Sequence, residues 1–260
     1  MTKIYSVAGL LGKGRLLQQR PFRSPHHTIS MAGLVGGGSI PKPGEVPLSH
    51  HGVLFLDELP EFPRSVLEVL RQPLEDGVVH IARVQAALSY PSRFVLVAAM
   101  NPCPCGRYGF DEGCTCSDSE LRRYTHKISG PLLDRIDLHV RVERPAYWEL
   151  TARRRAEPSS AIRSRVLSAR HRQQERLAPY GCTCNAHMGH REIRATCQLT
   201  EAAQQLLREA FDALRLSARS YDRIIKVSQT IADLAKAPVI AKDHVAEAIS
   251  YRNKMHQPCR

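Results

Sequence analysis

The chain is 260 residues long, 43% of them are hydrophobic, and its formal net charge at pH 7 is +12. This length suffices for one or two domains with a buried core. No apolar run approaches the roughly 20 residues that a membrane-spanning helix needs, and the first residues lack the apolar region of a signal peptide. We therefore expect a cytoplasmic protein without a membrane partner.

The positive charge is concentrated in the second part of the chain. Residues 1–145 contain 17 Lys and Arg against 14 Asp and Glu, a net charge of +3, whereas residues 146–260 contain 20 against 11, a net charge of +9. Such a surplus suits the phosphate backbone of a nucleic acid, whose attraction is electrostatic and sensitive to salt. The alternative is an ordinary solvated helical surface.

The first strand signal follows a Gly- and Pro-rich stretch, residues 1–45, which predicts loops, a short helix and a hairpin. Residues 53–58 read Val-Leu-Phe-Leu-Asp-Glu, a buried strand that ends in two carboxylates. In a P-loop ATPase, the first acid at such a strand end, here Asp57, holds Mg²⁺, and the next, Glu58, polarises the water that attacks the γ-phosphate. An apolar run ending in Asp-Glu is also common by chance.

Between this strand and the next, the sequence predicts a helix and a hairpin. Residues 64–72 have apolar side chains at helical spacing, and Pro73 is placed where that helix should end or bend. Residues 78–83 and 87–90 flank a short connection and predict two antiparallel strands.

A second buried strand is predicted over residues 93–100, an apolar run typical of parallel sheets covered on both faces. It ends at Asn101. Ligands of open α/β sheets bind at the carboxyl ends of the strands. The amide of Asn101 is therefore a candidate to orient the attacking water beside Asp57 and Glu58.

A third strand is predicted over residues 136–142, where apolar and polar side chains alternate. Arg135, just before it, is either a surface cation or an arginine finger that reaches the γ-phosphate bound by a neighbouring subunit. A shift in composition near residue 145 predicts one domain over 1–145 and a helical one over 146–260. The helices expected in the second domain are 159–177, 200–214, 220–236 and 242–251.

Two C-x-C pairs lie close together in the sequence, and their cysteines are Cys103, Cys105, Cys114 and Cys116. Structural disulfides are not expected in a cytoplasmic chain, whereas four thiolates can hold a tetrahedral zinc ion. The spacing is tighter than the usual C-x₂-C, so a loop of reduced thiols is the alternative.

Other Cys and His groups carry weaker metal signals. One is a second cluster made of Cys182, Cys184, His187, His190 and Cys197. The pairs at residues 26–27 and 50–51 are the others, and the first of them is expected to start a helix rather than to bind metal.

Six segments together resemble a known family: residues 20–28, 36–45, 52–62, 101–106, 128–138 and 216–223. They are similar to the magnesium-chelatase-like AAA+ ATPases of the ComM/YifB group, and the resemblance extends over about residues 3–252. It implies a truncated AAA+ P-loop αβα sandwich with a C-terminal all-helical lid domain. It also implies a homo-hexameric motor that uses ATP and Mg²⁺ to act on single-stranded or branched DNA, as a helicase or in branch migration, during recombination or natural transformation.

The resemblance also implies roles for individual residues. Asp57 and Glu58 match the Walker B acids, Asn101 matches sensor 1, and Arg135 matches the arginine finger. Arg219 matches sensor 2, which contacts nucleotide phosphates from the lid, as the planar guanidinium is suited to do. The hairpin before sensor 1 would face the central pore, with His80 and Arg83 as candidates to touch DNA; a plain hairpin packed on the sheet is the alternative.

One expected motif is absent from the sequence. The phosphate-binding loop G-x-x-x-x-G-K-[ST] has its nearest match at residues 9–14, where the glycine spacing is two residues too short and Gly14 replaces Ser or Thr. In the family this motif lies upstream of residues 4–10. We therefore expect the C-terminal part of a longer protein, without the Walker A motif and the Lon-protease-like domain, and with exposed apolar sheet surface.

Two other functions remain open from the sequence. One is a magnesium-chelatase-type ATPase subunit that serves magnesium insertion into porphyrins. The other is a non-catalytic zinc-bearing fragment that binds DNA or assembles into partner hexamers.

Overall fold

The computed structural model describes residues 1–12, 16–38, 42–83, 86–109, 113–145, 147–151 and 156–252. It divides into two compact units, unit 1 over Met1–Ile136 and unit 2 over Asp137–Arg260. The predicted domains, 1–145 and 146–260, stay a prediction. No helix in the described ranges has the length and apolar character that crossing a bilayer requires.

Unit 1 mixes short strands and short helices. Its strands are β1 (Phe22–Arg23), β2 (Gly36–Gly37), β3 (Lys42–Pro43), β4 (Val53–Leu56), β5 (Val78–Arg83), β6 (Ala86–Pro91) and β7 (Val95–Ala98). Its helices are α1 (Thr2–Val7), α2 (Met31–Val35), α3 (Glu45–Leu48), α4 (Arg64–Glu68), α5 (Arg71–Asp76), α6 (Asp118–Thr125) and α7 (Gly130–Leu133).

A parallel sheet with the strand order β1-β4-β7 forms the centre of the described part of unit 1. The central strand β4 pairs with β7 in register from Val53 opposite Val95 to Leu56 opposite Ala98. Leu54 and Leu56 are fully buried, as expected for apolar residues of a central strand. Together with the helices of unit 2, this sheet confirms the predicted α/β class and agrees with an AAA+-like fold that has a helical C-terminal region.

The outer strands of this sheet expose apolar side chains. Val95 on β7 is 60% exposed and Phe22 on β1 is 65% exposed. This confirms the expectation of exposed apolar sheet surface. Such surface is costly to leave in water and marks places where another element can pack.

The strand predicted over residues 136–142 is wrong. These residues are irregular, and they form no ladder with any described strand. The apolar side chains of Leu138, Val140 and Val142 are exposed, and Val142 is 82% exposed. An alternating pattern of side chains is not sufficient to form a strand, because the backbone N–H and C=O groups also need a neighbouring strand to pair with.

The single helix predicted over residues 64–72 is in fact two helices, α4 and α5, which are separated by residues 69 and 70. Pro73 lies in the first turn of α5 instead of ending a helix. The first four N–H groups of a helix have no partner within it, so proline, which lacks an N–H, is tolerated there.

The predicted hairpin is confirmed: β5 and β6 pair in antiparallel fashion from Val78 opposite Pro91 to Arg83 opposite Ala86. Residues 84 and 85, between the two strands in the sequence, lie outside the described residues.

A pair of histidines joins the loop before β4 to Arg93, two residues before β7. The Nδ1 atom of His50 accepts a hydrogen bond from the N–H of Arg93 at 3.0 Å, and the N–H of His51 donates to the carbonyl of Arg93 at 2.6 Å. His50 is buried. Burial, helped by the nearby His51, lowers the pKa of His50 to about 4, so His50 acts as a neutral hydrogen-bond acceptor.

We predict that His50 makes the folded chain sensitive to mild acid. Because the folded pKa is about 4 and the ordinary value is 6.5, the unfolded chain takes up the proton first, and stability falls as the pH drops from 6.5 towards 4. The variant His50→Asn keeps an acceptor without titrating, so its unfolding midpoint should fall less over this interval. Urea unfolding at a series of pH values measures both proteins, and equal pH dependence would contradict the role of His50.

Unit 2 is helical in its described part. Its helices are α8 (Tyr147–Thr151), α9 (Ser159–Leu177), α10 (His190–Thr196), α11 (Glu201–Ala213), α12 (Ala218–Leu234) and α13 (Lys242–Ser250). The four helices expected from the sequence are therefore present, although α12 begins two residues earlier than predicted. Its N-cap is Ser217, whose side chain accepts a hydrogen bond from the N–H of Ser220, and such capping is what fixes a helix start.

A buried ion pair joins two helices of unit 2. Arg176 of α9 makes two hydrogen bonds of 2.7 Å to the carboxylate of Asp233 on α12, and the Asp233 side chain is fully buried. Asn185 donates to the same carboxylate at 2.9 Å, and Gln229 donates at 3.3 Å. The carboxylate is therefore saturated with donors, which is the condition under which a buried charge is tolerated.

We predict that Asp233→Ala destabilises the chain by about 3 kcal/mol, because it leaves the largely buried Arg176 without its partner. Asp222→Ala is the matched control on the same helix, since Asp222 pairs with the exposed His190, at 3.2 Å. An exposed pair contributes less than about 1 kcal/mol. Urea unfolding followed by circular dichroism measures both variants; equal effects would mean that the buried network is not a major stabilising contact.

Candidate functional site

Two acids and one amide meet at the carboxyl edge of the parallel sheet. Asp57 and Glu58 directly follow β4, and Asn101 follows β7 after two further residues. Backbone hydrogen bonds continue the pairing past the strands, from Ala99 N–H to the Leu56 carbonyl at 2.9 Å and from Leu59 N–H to the Ala99 carbonyl at 3.0 Å. The in-register pairing therefore brings both chain segments to the same edge.

The two acids are both exposed at this edge. One oxygen of Asp57 accepts the N–H of Glu58 at 2.9 Å. Glu58 itself has a left-handed backbone, with φ of 51° and ψ of 47°, a conformation that costs a residue other than glycine about 1–2 kcal/mol. Exposed carboxylate oxygens are the ligands that Mg²⁺ prefers, and strained backbone of this kind is concentrated at functional sites.

A histidine contacts the second acid. The Nδ1 atom of His27 lies 3.3 Å from a carboxylate oxygen of Glu58, and the His27 ring packs against the rings of His26 and Phe62, with centroid distances of 4.0 and 6.3 Å. The expected helix start at residues 26–27 is wrong, because α2 begins at Met31 with Ser30 as its cap. His27 lies instead in a turn, where it can orient Glu58.

The third residue at the edge, Asn101, is exposed and is held through its backbone. Its carbonyl accepts a hydrogen bond from the hydroxyl of Tyr124 on α6 at 3.2 Å. Burial, and next the nearby Glu61, raises the pKa of Tyr124 to about 12, so this hydroxyl remains a donor at any physiological pH. The contact leaves the Asn101 side chain available for a ligand at the strand edge.

An arginine finger extends outward from its subunit, whereas the side chain of Arg135 is mostly buried. Its side chain is only 11% exposed. The guanidinium pairs with Glu75 of α5 and donates to the carbonyl of Pro131 at 2.8 Å. It lines an open cleft of about 700 Å³ that also contains Glu68, Arg71 and His80. In this structure, Arg135 is held within unit 1.

The other predicted arginine, Arg219, is exposed in the first turn of α12. One turn later, Arg223 pairs with Asp137 at 3.2 Å and is largely buried. Its guanidinium is therefore engaged inside unit 2.

On the hairpin, His80 bonds the hydroxyl of Ser89 across the strands at 2.8 Å. The side chain of Arg83 lies outside the described residues.

The four predicted zinc ligands come together in the loop between β7 and α6. One sulfur from each of Cys103, Cys105, Cys114 and Cys116 lies within 4.8 Å of the others. In the described part of the chain, the weaker candidate clusters form no comparable group of three or more ligands. In particular, Cys184 and Cys197 are buried in unit 2.

Family profiles match nearly the whole chain. Residues 1–150 match the profile described as magnesium chelatase, subunit ChlI, and residues 156–252 match the profile of the ChlI C-terminal region. The chain therefore belongs to the magnesium-chelatase-like ATPase family.

Several curated relatives confirm the resemblance to the ComM/YifB group. Competence protein ComM of Haemophilus influenzae is 48% identical over 236 residues, which are 90% of this chain and 45% of that protein. The uncharacterised protein YifB of Escherichia coli is 44% identical over 90% of this chain and 46% of its own length. An uncharacterised protein of Mycobacterium tuberculosis is 44% identical over 97% of this chain and 50% of its own length. The chain spans about half the length of the curated relatives it matches.

Sequence reasoning did not find two contacts at the site. The contact between His27 and Glu58 joins residues 31 positions apart, and the pair between Glu75 and Arg135 joins residues 60 positions apart. The adjacent histidines at 26–27 were the available signal for the first contact. The pair between Glu75 and Arg135 could not be predicted from the sequence, because no local pattern links two opposite charges in separate parts of the chain.

Proposed function

We propose that this chain is the part of an ATP-hydrolysing AAA+ motor that carries the Walker B acids, sensor 1 and the lid, and that the motor works as a homo-hexamer on DNA. The action would be branch migration or unwinding in recombination or natural transformation. The observation that carries the ATPase part is the shared strand edge of Asp57, Glu58 and Asn101. The 48% identity to a protein named competence protein ComM supports the DNA part.

Each residue has a distinct task in this proposal. Asp57 holds the Mg²⁺ of the nucleotide, Glu58 takes a proton from the attacking water, and Asn101 orients that water. Arg219 contacts the phosphates from the lid through its planar guanidinium. Arg135 acts across a subunit interface, which requires it to leave Glu75 when a neighbouring nucleotide arrives.

We predict that the 260-residue chain alone turns over no ATP above background. Its sequence has no G-x-x-x-x-G-K-[ST] loop, and positioning of the phosphates supplies most of the catalysis in phosphoryl transfer. A coupled phosphate-release assay with Mg-ATP measures this. Robust ATP turnover by the wild-type chain, abolished by Glu58→Gln, would contradict the prediction that hydrolysis needs the phosphate-binding loop that this sequence lacks.

The active-site roles are tested in a full-length homologue that has its own phosphate loop. The counterpart of Glu58→Gln should trap ATP, whereas that of Arg135→Ala should bind ATP without hydrolysing it. Because Glu58 acts within its subunit and Arg135 acts across the interface, mixing the two inactive proteins should restore some turnover. No recovery at any mixing ratio would argue against an arginine that acts in trans.

The DNA part of the proposal rests on the charge of unit 2, and α9 is its most basic helix. It carries five arginines against one glutamate, a net charge of +4, whereas α11 carries one arginine against three acids, a net charge of −2. Arg163 of α9 is exposed and Arg170 is partly exposed. Arg176 of this helix is bonded to Asp233, so Arg163 and Arg170 are the candidates to neutralise backbone phosphates, and the resulting affinity falls with salt.

We predict that Arg163→Gln combined with Arg170→Gln weakens binding to single-stranded DNA. The slope of log K against log salt should become shallower by about 0.7 for each phosphate that the variant no longer neutralises. Arg208→Gln, which changes an exposed arginine on the acidic helix α11, is the matched control and should leave the slope unchanged. Fluorescence anisotropy with a labelled strand and with a four-way junction measures both.

A wild-type chain that binds neither DNA at low salt would contradict the DNA part without touching the ATPase part. It would favour the second candidate, a chelatase-type subunit, which the ChlI description of the matching profiles supports.

A further inference from the structure

The loop between β7 and α6 has the geometry of a single-ion thiolate site. The Sγ atom of Cys103 lies 3.3 Å from that of Cys105 and 3.7 Å from that of Cys114, and the Sγ atoms of Cys105 and Cys114 are 3.5 Å apart. The sulfur of Cys116 lies within 4.8 Å of all three. A zinc ion with four Zn–S bonds of about 2.3 Å requires sulfurs about 3.8 Å apart. The four sulfurs are therefore already close to the corners of such a tetrahedron.

A backbone N–H group contacts one of these sulfurs. The N–H of Tyr108 donates to the Sγ atom of Cys103 at 3.3 Å. Gly106, with φ of 78°, provides a left-handed turn two residues before this N–H group. A donor to a thiolate compensates part of the net charge of −2 that four thiolates and one divalent ion carry, as the outer shell of a metal site does.

The ends of the loop are also fastened. Tyr124 bonds the Asn101 carbonyl at 3.2 Å, and Ser117, directly after the last cysteine, caps α6 in a capping box with Glu120. An ion at the cysteines would therefore fix the middle of a loop whose two ends already meet. Its order would be transmitted to Asn101 at the strand edge.

We propose that Cys103, Cys105, Cys114 and Cys116 bind one Zn²⁺ in a closed, structural site that orders the loop from residue 101 to residue 124. Four protein ligands leave no open position for water, so the ion has no catalytic task. Soft thiolates select zinc over Mg²⁺, and sulfurs this close together enclose one ion rather than an iron–sulfur cluster. Zinc binding by these four cysteines does not depend on the proposed motor function.

The chain contains its own control for this proposal. The tripeptide Cys-Thr-Cys occurs twice, at residues 114–116 and at 182–184. In unit 2, Cys184 is buried and the sulfur of Cys182 contacts the carbonyl of His187 at 3.6 Å. The same tripeptide therefore has metal-site geometry at residues 114–116 and does not have it at residues 182–184.

The direct test is the metal content of the full 260-residue chain, purified without a His-tag or chelators and measured by elemental analysis. We expect about one zinc per chain. The double variant Cys114→Ser/Cys116→Ser should fall below about a tenth of an equivalent, while the control Cys182→Ser/Cys184→Ser should keep its zinc. Loss of zinc in the control and not in the first variant would overturn the assignment.

A second measurement decides the matter if the first variant does not fold. In wild-type protein, a mercurial reagent should release zinc as four thiols react, and Co²⁺ in its place should show the intense visible absorption of tetrahedral thiolate ligation. Hydrogen exchange over residues 101–124 should rise on zinc removal. Zinc-free protein with four reactive thiols, iron in place of zinc, or disulfides among the four cysteines would each overturn the proposal.

Discussion

The in-register parallel pairing of β4 with β7 is the constraint on which the site depends. Because Leu56 lies opposite Ala98, the two strands end together, and the residues that follow them share one edge. Hydrogen bonds of Ala99 with Leu56 and with Leu59 extend this pairing past the strands. A shift by one residue would move each side chain to the other face, and the two acids would no longer be aligned with Asn101.

The other contacts of unit 1 hold this pair of strands in place. His50 and His51 bond a residue shortly before β7, and Tyr124 bonds a residue shortly after it. The strand is therefore fixed at both ends by groups outside the sheet. A zinc site in the loop after Asn101 would add a third fixed point close to this strand.

Unit 2 is stabilised in a different way. Its helices share an apolar core that includes Leu177, Leu207 and Ile224, and the pair of Arg176 and Asp233 joins α9 to α12. Its surface is basic on α9 and acidic on α11, so charge is separated between different parts of one helical unit.

The sequence by itself determined the local elements and their chemistry. It predicted the β4 strand with its two acids, the hairpin, the four long helices and the four cysteines as one set, because periodicity, caps and spacing are local properties. Only the tertiary structure decided which segments pair. Residues 136–142 alternate like a strand and yet remain irregular, since no described neighbouring strand satisfies their backbone, and Arg135 bonds Glu75 although nothing in the spacing of the two indicates it. Contacts between distant residues depend on where the backbone carries them, and this is the information that a local pattern does not contain.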